Sequence, residues 1–220
     1  MNASDKHTLL VNKLADLEET TVLALVKERV QAGEDPFLII EDAQQALRLV
    51  GERYEQREYY ISSMMMAGEI FREVMEIVEP VLVQKTTGNA SGRILLGTVQ
   101  GDIHDIGKNI FGILLRCHGF TVTDLGVDVS PAQFAQEALQ MAPDIIALSG
   151  LLTISYDSMK ETIQKVKQLD QPTAAQSPFI IGGGTVNAMV CAFVGADYWA
   201  IDAMVGVQLC KQIMAERQNP

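Results

Sequence analysis

Histidine at position 104 is the side chain of this sequence with the clearest capacity for chemistry. It lies in the run Gly101-Asp102-Ile103-His104-Asp105-Ile106-Gly107-Lys108-Asn109. A carboxylate two positions before an imidazole can accept the N–H of one ring nitrogen, which fixes the tautomer and leaves the other nitrogen free to coordinate a metal. Gly107 takes away a side chain where a helix would open, so a bulky group could pass close to the main chain. Two blander readings fit the same loop: a solvated histidine, or a turn that binds phosphate through its amides. A metal site made by protein alone lacks ligands, because the other histidines (His7, His118) and the cysteines (Cys117, Cys191, Cys210) are scattered and form no CxxC pair. These five read as structural or solvent-facing.

The elements that must position His104 follow from hydrophobic periodicity. Residues 1–90 carry helical spacing and almost no strand signal. A first stripe runs through Leu10, Leu14, Leu17, Val22, Leu25, Val26 and Val30 to a stop at Gly33. Asp35 and Pro36 then open a second helix with Ile39, Ile40, Ala43, Leu47 and Val50 on its buried side. A last helix spans about Ile61 to Val83, and Lys85 to Gly92 reads as a linker. Beyond it, apolar runs near Arg93–Val99, Phe120–Leu125, Asp144–Ser149, Phe179–Ile181 and Tyr198–Ile201 alternate with amphipathic stretches. That alternation predicts a helical bundle cap over 1–90, then an α/β domain over 91–220 with a doubly wound, flavodoxin-like sheet of five parallel strands. Such sheets bind ligands outside the carboxyl ends of their strands, here Gln100–Gly107, Ser149–Ser155 and Gly182–Gly184.

Composition narrows the function classes. The 220 residues carry 17 Lys plus Arg against 28 Asp plus Glu, a formal charge of -11, which argues against binding nucleic acid or an anionic membrane surface. Residues 1–90 alone hold nine basic and sixteen acidic side chains. No stretch approaches the ~20 apolar residues of a membrane helix, and the N-terminus lacks a secretory layout, so a cytoplasmic protein is expected.

A single histidine suffices when a metal arrives with its other positions already filled by a macrocycle, as in haem and corrinoids. The remaining loops favour a deep slot. Ser149-Gly150-Leu151-Leu152-Thr153-Ile154-Ser155 brings hydroxyls and small residues, and Gly182-Gly183-Gly184 removes side chains, which suits a long appended tail better than a flat haem.

Asp102-x-His104-x-x-Gly107, followed by Ser149-x-Leu151 and then Gly182-Gly183, resembles the cobalamin-binding signature. The longer string GDIHDIGKNI is similar to the corrinoid modules of cobalamin-dependent methionine synthase and of the small corrinoid proteins of methyltransferase systems. The resemblance spans nearly the whole chain, because those proteins also place a helical cap before the sheet domain. It implies a cobalamin or related corrinoid cofactor, with His104 as lower axial ligand to cobalt. It further implies that Asp102 hydrogen-bonds His104, and that Ser155 extends the relay, coupling proton uptake to methyl departure. By the same resemblance the tail enters beside Gly107 and over Gly182 and Gly183, with Ser149, Leu151 and Thr153 lining it. Gly101, Ile103, Asp105 and Ala203 complete the sheet-domain contacts. In the cap, Glu55 and Tyr60 match cofactor-contacting positions, although the family's usual Leu-Pro-Glu after the aromatic is Ile61-Ser62-Ser63 here. Met64, Met65 and Met66 could border the corrin, but a methionine cluster at helical spacing reads more naturally as core.

The function so implied is a methyl carrier and not a complete enzyme. It would pass a methyl group on cobalt between a methyl-donor methyltransferase and a methyl-acceptor methyltransferase, the donor being a methylamine, methanol, a methoxylated aromatic or a betaine. Two alternatives share the signature. The small subunit of an adenosylcobalamin mutase leaves the ninety helical residues unexplained, and a cobalamin-sensing regulator would need a basic recognition helix that the acidic N-terminal half does not offer.

Overall fold

The computed structural model describes residues 3–84 and 91–218. The expected linker at Lys85–Gly92 lies, except for Ser91 and Gly92, outside the described residues. The chain divides into two compact units, residues 1–85 and 86–220.

Among the described residues the first unit holds four helices, α1 (Ala3–Ala15), α2 (Glu19–Gln31), α3 (Pro36–Glu55) and α4 (Ile61–Gln84). The stripe expected as one helix through Val30 is broken. Leu17 takes a left-handed backbone at φ +61°, and its N–H returns to the Leu14 carbonyl, so the chain reverses between α1 and α2. Asp35 caps α3 by accepting from the Phe37 N–H, with Pro36 in the first turn. Leu10, Leu14, Val22, Val26, Ile39, Val50, Phe71, Val74 and Val78 fill the bundle core. Beside them lies a buried ion pair, in which Arg29 Nη1 donates to Asp42 Oδ2 at 2.6 Å and the guanidinium also reaches Glu34. His7 touches the other oxygen of Asp42, which gives it a structural place in the bundle.

Met64, Met65 and Met66 are not core. They are 39%, 72% and 43% exposed, because they occupy the opening turns of α4, ahead of the buried stripe that begins at Ala67.

The second unit alternates β1 (Gly92–Thr98), α5 (Ile106–Cys117), β2 (Phe120–Asp124), α6 (Pro131–Met141), β3 (Ile145–Ser149), α7 (Ser155–Lys167), α8 (Pro172–Ala175), β4 (Phe179–Gly182), α9 (Ala188–Val194), β5 (Tyr198–Ala200) and α10 (Ala203–Gln218). All neighbouring strands pair in parallel, in the order β2-β1-β3-β4-β5. Helices α6, α7 and α9 pack together in one layer, and α5 and α10 pair in another, as a doubly wound sheet requires. The one-turn α8 was not expected from the sequence, since four residues are too few to show a period.

Side chains from alternate positions of the strands fill a core with those of α6 and α7: Leu95, Ile146, Leu148 and Ile181 meet Phe134, Met159 and Ile163. The strand order reverses at β1, with β2 on one side and β3 on the other. Ligands of such sheets bind at this crevice.

Candidate functional site

The β1–α5 loop starts where β1 ends in the buried Thr98, whose hydroxyl donates to the His104 carbonyl at 3.1 Å. Gly101 turns the chain at φ +85°, a conformation glycine adopts without strain. Asp102 then points inward and is 1% exposed. Its carboxylate gathers five donors from two loops. Oδ1 accepts the main-chain N–H of His104 at 3.0 Å and meets ring Nδ1 of His104 at 2.7 Å. Oδ2 accepts the N–H of Leu151 at 2.7 Å, that of Leu152 at 3.0 Å and the Ser155 hydroxyl at 2.8 Å.

Burial alone pushes the Asp102 carboxyl upward. The N–H groups of Leu152 and His104, the His104 ring and the Ser155 hydroxyl overcome this and hold it well below the usual carboxylate range. An ionised carboxylate can only accept, so His104 Nδ1 carries the proton of the pair and Nε2 is the nitrogen turned away from the carboxylate. The His104 side chain is 49% exposed. The resulting group is an oriented imidazole at the edge of the sheet, whose Nε2 is the nitrogen placed to bond a metal. Among the described residues no group of three or more His, Cys, Asp or Glu comes together that could hold a metal ion by itself.

The other loops meet this one through main chain. Val99 N–H donates to the Ser149 carbonyl at 3.0 Å, and Gly150 N–H to the Gly182 carbonyl at 3.0 Å, which carries the ladder past the strand ends. A Cβ at Gly183 would stand 2.0 Å from the Gly150 carbonyl oxygen, and φ there is +147°, so only glycine fits. At Gly107 the opposite holds. No heavy atom would lie within 4 Å of an added Cβ, so the start of α5 faces open space.

The remaining expected contacts fall into two groups. Gly101, Ile103, Asp105 and Gly107 share the His104 loop, and Ile103 is 72% exposed. Leu151 and Thr153 are exposed on the β3–α7 segment, and Ser149 is the half-buried end of β3. Ala203 opens α10 just past β5 at the same edge of the sheet, its turn capped by Asp202, which accepts from the N–H groups of Met204 and Val205. Glu55 and Tyr60 belong to the helical unit, at the end of α3 and just before α4, and both are exposed. Their neighbours Arg53 and Tyr59 serve that unit's own structure by donating to the Ala15 carbonyl at 2.7 and 2.8 Å.

His118 closes α5 with ring Nδ1 2.8 Å from the Leu114 carbonyl, away from the loop. Sequence reading missed Leu152, which acts on the site through a main-chain N–H that leaves no residue-type signal, and Asp128, whose carboxylate and N–H reach the loop only by the folded path. The buried Thr98 in an otherwise apolar strand was a readable hint.

Comparison with known proteins points to the cofactor of the chain. A B12 binding domain model matches residues 92–207, and a second B12 binding domain model matches residues 8–79. A corrinoid protein of Desulfitobacterium hafniense is 33% identical over 199 residues, covering 87% of this chain and 91% of that protein. The chain belongs to the corrinoid proteins. A trimethylamine corrinoid protein of Methanosarcina acetivorans is 30% identical, covering 91% of this chain and 92% of its own length. In fold the chain is similar to the monomethylamine corrinoid protein of Methanosarcina barkeri, with a TM-score of 0.87 over 96% of this chain and all of that one, at 24% identity.

A corrinoid is therefore the cofactor of this chain, and the residues present fit it. The corrin ring fills a cobalt ion's equatorial positions, so one protein donor is enough. Open space at Gly107 leaves room beside that donor.

Proposed function

We propose that this corrinoid protein is a methyl carrier in which His104 Nε2 would be the protein's donor to cobalt, and Gly107, Gly182 and Gly183 would leave room for the cofactor's tail. The observation that carries the reading is the saturation of Asp102: five donors keep it ionised, and it in turn keeps the proton on His104 Nδ1. The bound corrinoid supplies a metal that accepts and gives up a methyl group.

The chain's own residues orient and hold. Asp102 holds His104 at two points, the main-chain N–H and ring Nδ1, and Ser155, in the first turn of α7, donates its hydroxyl proton to the same carboxylate. Ser149, Leu151 and Thr153 line the tail in this reading, with Gly101, Ile103, Asp105 and Ala203 as further contacts. Glu55 and Tyr60 are assigned to the cofactor from the helical unit by their resemblance to family positions.

The partners are two methyltransferases, one loading and one unloading. The relatives' names favour a methylated amine as the donor's substrate. No helix among the described residues is long and apolar enough to cross a membrane, and a cytoplasmic carrier remains part of this proposal.

The test is reconstitution of the full chain and of His104→Gly with methylcobalamin or hydroxocobalamin. The parent should bind the cofactor with a visible spectrum of the histidine-ligated form, and His104→Gly should bind more weakly with a shifted spectrum and slowed methyl transfer. An identical spectrum and transfer rate in the two proteins would refute the ligand assignment.

A further inference from the structure

The carboxylate of Asp102 is secured by the β3–α7 segment, but its main chain is secured from the other side. Asp128, in the segment between β2 and α6, is exposed and has a left-handed backbone at φ +54°, rare for a residue with a side chain. In that conformation it faces the histidine loop with both kinds of group at once. Its Oδ1 accepts the Gly101 N–H at 2.8 Å, and its own N–H donates to the Asp102 carbonyl at 3.0 Å. Flanking bonds hold Asp128 in turn: Thr98 N–H to the Gly126 carbonyl at 2.9 Å, and Val129 N–H to the Thr98 carbonyl at 3.0 Å.

Resting on the ligand assignment above, we propose that Asp128 is a positioning residue for His104. It holds the Gly101 N–H and the Asp102 carbonyl, the groups on either side of the 101–102 peptide, so that the freedom of the glycine turn is removed and Nε2 stands at a fixed reach. The β3–α7 donors fix the far oxygen of the carboxylate, but the main chain that carries Asp102 follows a glycine with wide conformational freedom. A clamp on both sides of the 101–102 peptide converts the local orientation into a fixed position in space. A buried contact is not required for this; a hydrogen bond in each direction is.

The experiment compares the parent with Asp128→Ala, Asp128→Asn and Asp128→Gly in the full chain. Asparagine keeps an acceptor oxygen and tolerates the left-handed backbone, whereas glycine keeps only the backbone. Amide exchange at Gly101 in the cofactor-free chain should speed up about tenfold in Asp128→Ala and Asp128→Gly, and stay near the parent rate in Asp128→Asn. With hydroxocobalamin added, the first two variants should show about tenfold less of the histidine-ligated spectral form relative to the unligated one, and Asp128→Asn should restore it. Parental spectra in both Asp128→Ala and Asp128→Gly would overturn the proposal, as would Asp128→Asn behaving like them. If His104→Gly leaves the spectrum unchanged, the ligand assignment itself has failed; a His104→Gly shift with parental Asp128 variants strikes this inference alone. Should Asp128→Ala not fold, Asp128→Gly, free of backbone strain, still decides.

Discussion

One oxygen of Asp102 holds His104 twice, by its main-chain N–H at 3.0 Å and by ring Nδ1 at 2.7 Å. The imidazole can therefore neither swing away from the carboxylate nor exchange tautomers without breaking contacts that its own backbone helps to make. Behind it the second oxygen is filled by a different segment, so the state of the ring is tied to the packing of α7.

Replacing Asp102 with Asn should destabilise the sheet unit by about 3 kcal/mol, because an amide nitrogen would confront donors in a buried place. Trp199, the chain's single tryptophan, lies in this unit on β5, so its fluorescence during urea denaturation reads the loss. Ser155→Ala, which removes one of five donors, should cost only about 1 kcal/mol.

Acid should erase that difference. The folded carboxyl is held below its unfolded value of about 3.9, so its contribution is fully present above that pH and fades as pH falls through the folded value. The stability gap between the cofactor-free parent and Asp102→Asn should be constant from pH 7 to 5 and shrink below about pH 4. Denaturation curves across that range provide the check.

Two glycines should behave in opposite ways. Gly183→Ala drives a methyl group into the Gly150 carbonyl in a backbone region closed to alanine, and should destabilise by at least about 3 kcal/mol. Gly107→Leu should keep the fold, since nothing occupies that space, but lose corrinoid uptake by the reading proposed here. Thermal melting and cofactor titration of the two variants separate them.

Arg29→Met should destabilise the helical unit by about 3–5 kcal/mol, since it strips the buried Asp42 of its strong partner. Adding Asp42→Leu should recover much of the loss, because the desolvated charge goes with it. Helical ellipticity during thermal denaturation would show whether the double variant outlasts the single one.

The thiols of Cys191 and Cys210 should resist modification in the native chain. Burial raises both, and pushes Cys210 up to about 12, leaving very little thiolate at neutral pH. Their reaction with a thiol reagent should quicken at least about a hundredfold on unfolding. Mass mapping of the labelled residues gives the rates.

Much of the fold was legible because apolar strands and amphipathic helices differ in period. The five strands appear within a residue or two of their expected bounds, and Asp35-Pro36 marks a helix start by residue type alone. The reversal at Leu17 was hidden because a leucine in a left-handed turn preserves the hydrophobic stripe on either side. The methionines of α4 misled for a related reason: their spacing is helical, and spacing says which residues share a face, not whether anything covers it. In the site, Asp102, His104 and Ser155 were readable as side chains. The N–H groups of Leu151 and Leu152, and the grip of Asp128, were not, since any residue supplies an amide and only the folded path brings it to bear.

The approach of Gly183 to Gly150 has a consequence for how this protein could be altered. Where two loops touch peptide against peptide, there is no side chain to trim and no room to add one. Exchanging residues can reshape the walls around such a seam, but its depth is an invariant of the backbone. With the tail placed as proposed above, a carrier re-engineered for corrinoids with bulkier tails would have to gain space by moving whole strands, or at the unobstructed mouth near the start of α5.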